Sequence, residues 1–398
     1  MLSQEHYYKV HEDIRTFVSY GLPFDEACAK HVSETFKSSR IYIITSRSIA
    51  KSETWPRLLE ALDQKVVGIF TTMSAHSPWD DCFAVAKDLT KFCPDLIVSI
   101  GGGSVIDGSK MARFLAANGA LTPELRDELP VLCHTINIVT SLSAAECTNV
   151  AGITDPETHY KEQIIHDSLF SDLNIYDPAL TLTSPESLWL ESGIRAVDHF
   201  TEAISGNQPG ATEELRQKAE ECLGTVLSNL LAIRTKNWDD LEARLKLQVN
   251  MTHTWICLRL GVGASHGIGH QLGTYGIGHG ATSAILMPSV LKYNYAHGDN
   301  TLHEHQKRVQ RVFWSQPEVA KILHENGLTE DTSDAGDLMD CYIRTIGLPR
   351  TFKGTAISKA NFETIAINSM KDFACSIWNP APIDIEGVLE ILRTIETD

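Results

Sequence analysis

One stretch of this chain leaves little choice of fold. In PDLIVSIGGGSVIDGSKMARFLA, which begins at Pro94, an apolar run ends at Ile100, Gly101 to Ser104 follow, and helix-forming residues resume at about Val105. A strand that passes through a glycine turn into a helix is half of a βαβ unit, so the next strand should run parallel to it. Similar runs surround it: IYIIT (41–45), KVVGIF (65–70), DLIVSI (95–100) and VLCHTINIV (131–139) read as buried strands. Segments 51–63 and 79–93, lying between them, carry apolar residues at helical spacing. NIYDPALT (174–181) reads as a last strand and turn. The pattern predicts an α/β domain whose parallel sheet is covered by helices on both faces.

From about residue 185 the character changes. Ser184 reads as an N-cap, Pro185 as the first helical residue and Glu186 as first-turn acid, with Leu190, Ile194, Val197, Phe200 and Ile204 recurring at helical spacing. Further helical stretches are expected at 212–233, 239–258, 283–297, 305–326 and 333–345, with no convincing strand. A chain of 398 residues suits two domains. The expected division is a dinucleotide-binding α/β domain over 1–182 and an all-helical substrate domain over 183–398, with the active site in the cleft between them.

Composition excludes several roles. A formal charge of −17, spread along the chain, would repel nucleic acid, so an anionic ligand must be held by local amides or a few placed cations. No run approaches the roughly 20 apolar residues of a membrane helix, and the polar N-terminus resembles no secretory or transit signal. The cytoplasm is the expected location. Nine scattered cysteines without a CxxC pair read as reduced thiols. The expected partners are a small-molecule substrate and a second copy in a homodimer, with neither nucleic acid nor membrane.

The glycine turn is suited to an anion. Missing Cβ atoms let the backbone approach a pyrophosphate, and free amides at the helix start point at it. The spacing is not GxGxxG, so the ordinary dinucleotide fingerprint is absent. GGGSVIDGSK instead resembles the GGGSxxDxxK signature of the iron-type alcohol dehydrogenase superfamily. The resemblance continues through TSLSAAECTNVAGIT (140–154), GIRAVDHFTEAISG (193–206) and SHGIGHQLGTYGIGHGATSAILMPSVLKYN (265–294). AHSPWDD (75–81) and WNPAPIDIEGVLEIL (378–392) look closest to maleylacetate reductases. The resemblance implies NAD(P)H as cofactor. Gly101, Gly102, Gly103 and Ser104 would hold the pyrophosphate, with Asp107 and Lys110 following on the helix. Thr140, Ser141 and Thr148 would line the adenine and ribose side, and Lys161 would lie near the nicotinamide ribose. Where NAD-preferring members carry an acid, this chain reads Thr45-Ser46-Arg47, which admits the 2′-phosphate of NADPH.

In this superfamily an Asp and three His bind Fe²⁺ or Zn²⁺. His199, His266 and His279 match the three histidines, but Arg195 stands where the Asp is expected. A guanidinium stays protonated and has no lone pair to donate, so it cannot ligate a cation. The expectation is a metal-free site, in which Arg195 either supplies positive charge to the substrate or simply pairs with Asp198. If a metal is present, His199, His266 and His279 are its expected ligands. His270, four residues from His266 on one helix face, is the favoured proton donor, with His266 and His279 as alternatives. The leading reading is a maleylacetate reductase-like oxidoreductase. It would reduce a carbonyl or activated C=C bond of a small acidic, aromatic or polyketide-derived substrate. A Zn- or Fe-dependent alcohol dehydrogenase is the second reading. A non-redox cyclase or lyase resembling 3-dehydroquinate synthase is the third, because fold does not fix chemistry.

Overall fold

Every strand among the described residues (4–118, 133–155, 157 and 160–396 of this computed structural model) lies before residue 177. The chain divides into two units, Met1–Ser184 and Pro185–Asp398. In the first unit the strands are β1 (His6–His11), β2 (Ile14–Tyr20), β3 (Ile41–Thr45), β4 (Val66–Phe70), β5 (Leu96–Gly101), β6 (His134–Val139), β7 (Val150–Thr154), β8 (Lys161–Ile165) and β9 (Leu173–Tyr176). Seven of them form one sheet in the order β1-β2-β9-β6-β5-β3-β4, while β7 and β8 form a separate antiparallel hairpin. Within the large sheet only β1 and β2 pair antiparallel.

The central strands β3 and β5 are buried at every position, and β6 at all but its first, because both faces are covered; the buried polar Ser99 donates to Asn137 Oδ1 at 2.5 Å. Ile41, Ile43, Leu96, Val98, Ile136 and Ile138 pack into one layer with Phe24, Leu58 and Leu62. Tyr42, Ile44 and Ile97 point the other way, into a layer built from Val85, Leu89, Met111 and Phe114. This is the two-sided burial a parallel sheet demands.

Several expectations need correction. The β1–β2 hairpin and the β7–β8 hairpin were not anticipated: β1 is mostly exposed and lacks the buried apolar run that marked the central strands. β4 is an edge strand and only partly buried; β9 is the last strand in the chain, as expected, and lies between β2 and β6 in the sheet. The first two residues of the expected 131–139 strand lie outside the described residues.

The second unit is helical throughout its described residues. Its first helix, Glu186–Ser205, starts after Pro185, and the Ser184 hydroxyl does not cap it but donates to the Thr140 carbonyl at 2.8 Å. The expected 239–258 helix is broken after Met251, and that at 305–326 is broken at Gln316, before Pro317 opens a new helix. The helix expected from 283 begins at His279 and runs through Pro288 to His297. No helix among the described residues is long and apolar enough to cross a membrane.

Candidate active site

In the first unit the candidate residues follow neighbouring parallel strands. Ser46 and Arg47 follow β3, Gly101 to Ser104 end β5 and open the Gly103–Asn118 helix, and Thr140 and Ser141 follow β6. Open α/β sheets bind ligands at this edge. The Thr45 hydroxyl donates to the Ile100 carbonyl at 2.8 Å, which ties the end of β3 to the glycine turn. A Cβ on Gly102 would lie 3.1 Å from Ser141 Oγ, and one on Gly103 would lie 2.8 Å from Ser143 Oγ. The turn thus needs glycine because the 140–145 segment lies directly against it. Ser141 Oγ is buried there without a hydrogen-bond partner, which an incoming acceptor would satisfy.

The two residues further along the Gly103–Asn118 helix take different roles. Asp107 Oδ2 accepts from the Gly152 amide at 3.2 Å. Lys110 is buried and donates to the carbonyls of Ala145, Thr148 and Val150, the last two at 2.8 and 3.0 Å. It clasps the segment that holds Thr148 rather than reaching a ligand. Lys161 is 8% exposed, and its Cε would lie 2.5 Å from a Cβ on Gly152. Arg47 is exposed.

In the second unit the Glu186–Ser205 helix contributes Arg195, Asp198, His199 and Glu202. The helix Ala264–Gly273 contributes His266 and His270. His279 and Ser283 come from the helix His279–His297. The rings form a chain: His199 to His266 at 4.7 Å between centroids, His266 to His270 at 6.3 Å, and His270 stacked on His279 at 5.5 Å. A Cβ on Gly280 would fall 1.9 Å from the Glu191 carbonyl oxygen, so glycine is what lets the His279 turn approach the Glu186–Ser205 helix.

Arg195 sits at the centre, 2% exposed. Its Nη1 donates to Ser283 Oγ at 2.9 Å and lies 3.4 Å from Asp198 Oδ2, and its Nη2 donates to His270 Nε2 at 3.2 Å. Asp198 also accepts from the hydroxyls of Ser265, at 2.8 Å, and Ser283. Because a guanidinium can only donate, His270 Nε2 must be the acceptor. Its Nδ1 therefore carries the proton, toward Asp372 Oδ2 at 2.7 Å. The favoured proton donor thus has no proton on the nitrogen that faces Arg195. His266 is oriented in the same way, with Nδ1 2.6 Å from Glu202 Oε2, while its buried Nε2 has no partner.

Burial and charge set the protonation of this cluster. Burial raises Asp198 above the usual carboxylate range against the pull of His266 and Arg195. It lifts Glu202 to about 7 although the Gly263 and Ser265 amides donate to it. Burial also pushes up on Asp372, but His270 and the Ala374 amide outweigh it and hold that carboxyl low. His199 and His266 fall well below the ordinary imidazole range through burial and neighbouring positive charge. Both are therefore neutral at neutral pH.

Residues 22–178 match the family described as iron-containing alcohol dehydrogenase, and residues 189–395 match the C-terminal region of the Fe-containing alcohol dehydrogenase family. The chain belongs to the iron-containing alcohol dehydrogenase family. It is therefore an oxidoreductase of that family. Dehydrogenase FUM7 of Gibberella moniliformis is 39% identical, with 95% of each chain covered. Dehydrogenase ALT3 of Alternaria alternata is 37% identical, covering 90% of this chain and 99% of that one. Among solved folds, an alcohol dehydrogenase from Oenococcus oeni superposes with a TM-score of 0.79 at 20% identity, covering 94% of this chain and 96% of its own. Maleylacetate reductase from Rhizobium sp. strain MTP-10005 superposes at 0.73 and 18%, with 95% of each covered.

The family implies NAD(P) and a metal, and the residues can be asked whether they fit each. The glycine turn fits a dinucleotide, since a cradle that any Cβ would fill lies beside a hydroxyl with no acceptor. For a metal, Asp198, Glu202 and His266 bring donor atoms within 4.8 Å of one another, close enough to hold an ion. The His199, His266 and His279 set is not such a group among the described residues. Sequence reasoning missed Glu202 and Asp372. Glu202 lies seven residues after Arg195, on the same helix face, and could have been found by spacing; Asp372 is remote in sequence and carried no signal.

Proposed function

We propose that this chain is an NAD(P)H-dependent oxidoreductase that works without a required metal, with the Arg195 guanidinium as the fixed cation of its catalytic cluster. The observation that carries this reading is the place of Arg195, 3.4 Å from Asp198 and 3.2 Å from His270 Nε2. A divalent ion ~4 Å from such a cation would meet about 8 kcal/mol of repulsion at an effective dielectric of ~20. Bound NAD(P)H would supply the hydride. The substrate is a small molecule with a carbonyl or activated C=C bond, of acidic, aromatic or polyketide-derived character. The fixed positive charge of Arg195 within the cluster favours the electron-rich transition state. His279, half-buried and stacked on His270, is better placed to give up a proton than His270 itself. The relatives named dehydrogenases and the fold shared with maleylacetate reductases support a redox role.

A second reading keeps a metal, held by Asp198, Glu202 and His266. One experiment separates the two. Chelator-dialysed protein is assayed for metal content and for oxidation of NADH or NADPH against a panel of keto acids, aldehydes and enones. Retained turnover without metal, and its loss in Arg195→Met protein whose fold is verified, supports the first reading. Turnover lost on chelation and restored by Zn²⁺ or Fe²⁺ establishes the second. Cofactor binding without net oxidation would point to the cyclase or lyase chemistry.

A further inference from the structure

The Glu186–Ser205 helix carries one acid that the catalytic cluster leaves unused. Glu191 lies four residues before Arg195, so its side chain leaves the same helix face about one turn, ~5.4 Å, nearer the N-terminus. It is half-buried. Both glycines that flank His279 rest on it. A Cβ on Gly278 would fall 2.3 Å from Glu191 Oε2, and one on Gly280 would fall 1.9 Å from the Glu191 carbonyl oxygen. The carboxylate therefore takes up space that any side chain at 278 would need, at the turn that brings the His279 ring onto His270.

The acids around it are all engaged. Asp198 takes two hydroxyls and the guanidinium, Glu202 two amides and an imidazole, and Asp372 an imidazole and an amide. Glu191 is different. Among the described residues no hydrogen bond or ion pair reaches its carboxylate. It lies against the start of the His279–His297 helix, yet no amide of that helix donates to it. Burial alone acts on its protonation and raises it above the ordinary carboxylate value. Taking a charge partly out of water without a partner is costly, and groups perturbed in this way gather at functional sites.

We propose that Glu191 is a specificity residue that touches the substrate: its carboxylate accepts from a hydrogen-bond donor, a hydroxyl or an ammonium, a few bonds from the carbonyl that is reduced. The same charge turns away a substrate with a carboxylate at that position. The cluster around Arg195 then serves the oxygen that gains charge, and Glu191, one turn along the same helix, holds the donor. This inference rests on the reductase reading given above and narrows its substrate class.

The test uses the full chain, its reduced dinucleotide and four ketones of like length: 2-pentanone, 4-hydroxy-2-butanone, 4-amino-2-butanone and acetoacetate. They end in a methyl, a hydroxyl, an ammonium and a carboxylate. The wild type should prefer the hydroxy or the amino ketone to 2-pentanone by about tenfold in kcat/KM, the effect of one hydrogen bond to a charged group, and should select against acetoacetate. Whichever of the two is preferred identifies the donor. Glu191→Gln keeps the shape and a neutral acceptor, so it should cut a preference for the amino ketone about tenfold and one for the hydroxy ketone about threefold, and relieve the selection against acetoacetate. Glu191→Leu keeps bulk without an acceptor and should cut either preference about tenfold. Melting curves verify that each variant folds. Preferences within about twofold of wild type in both variants would leave Glu191 as a prop for the His279 turn and overturn the proposal. So would a wild type that turns over neither the hydroxy nor the amino ketone, or that prefers acetoacetate. No turnover of any keto acid, aldehyde or enone in the panel above defeats the reductase reading itself, and this one falls with it.

Discussion

Removing the charge of Arg195 should expose how much of the second unit is organised around it. Arg195 is 2% exposed and Asp198 fully buried, so their pair has almost no solvent to fall back on. Truncating one partner of such a pair costs ~3–5 kcal/mol, because the other charge stays buried without compensation. For a unit of this size ~1 kcal/mol moves the melting temperature by ~2–4 °C, so Arg195→Met should melt ~6–20 °C lower. Five of the seven tryptophans lie in the second unit, which makes their fluorescence a suitable probe in urea and thermal melts. The double variant Arg195→Met/Asp198→Asn should recover at least half of the loss. Asn still accepts from Ser265 and Ser283 but carries no charge to strand. The pH dependence has a definite sign. Asp198 already sits above its usual range with Arg195 present, and must rise further without it. A native state that holds extra protons loses stability as pH rises, so the Arg195→Met deficit should be smaller near pH ~5 than near pH ~8. A loss below ~1 kcal/mol in the single variant, or additive losses in the double, would refute the account of Arg195 as the counter-charge of this cluster.

Two further outcomes follow from neighbouring residues. Glu202 rises from an ordinary value of 4.5 to about 7 in the folded state, so its contribution to stability is lost as pH climbs through that interval. Glu202→Gln should flatten the pH dependence of the urea midpoint between those values, and an unchanged slope would contradict the assignment. Arg47 is exposed at the end of β3, where a 2′-phosphate would lie if NADPH is the cofactor. Arg47→Asp should weaken NADPH about tenfold in fluorescence titration while NADH binding holds, and parallel changes in both would remove Arg47 from the site.

The fold was legible wherever burial left a periodic trace. The strands β3, β5 and β6 carry dense apolar residues because both faces are packed, IYIIT in β3 and LIV at the start of β5 being unbroken, and such runs are hard to misread. The N-terminal hairpin escaped notice for the opposite reason, since most of β1 is exposed and its sequence, HYYKVH, shows no buried face. Ser184 illustrates a different limit. It has the identity and position of a cap, yet its hydroxyl is taken by the Thr140 carbonyl, a partner 44 residues away. Local rules describe what a residue can do; a distant acceptor decided what this one does.

The same contrast runs through the active site and explains why one unusual residue was readable while its setting was not. Arg195, read against the family pattern, stands in place of an aspartate, and the sequence alone excludes it as a ligand. An aspartate with a divalent ion carries a net charge of +1; in the metal-free function proposed above, the arginine standing for both carries the same. The surrounding groups therefore need no change of charge to accept it. His266 and His270 still turn Nδ1 toward Glu202 and Asp372, the orientation that carboxylates impose on metal-binding histidines. One of those inward Nε2 atoms now accepts from a guanidinium, and the other is left without a partner. On the proposed metal-free reading, a cluster built on that orientation would exchange a metal for an arginine at one position. Neither carboxylate, separated from its histidine by 64 and 102 residues, could be paired with it by spacing alone.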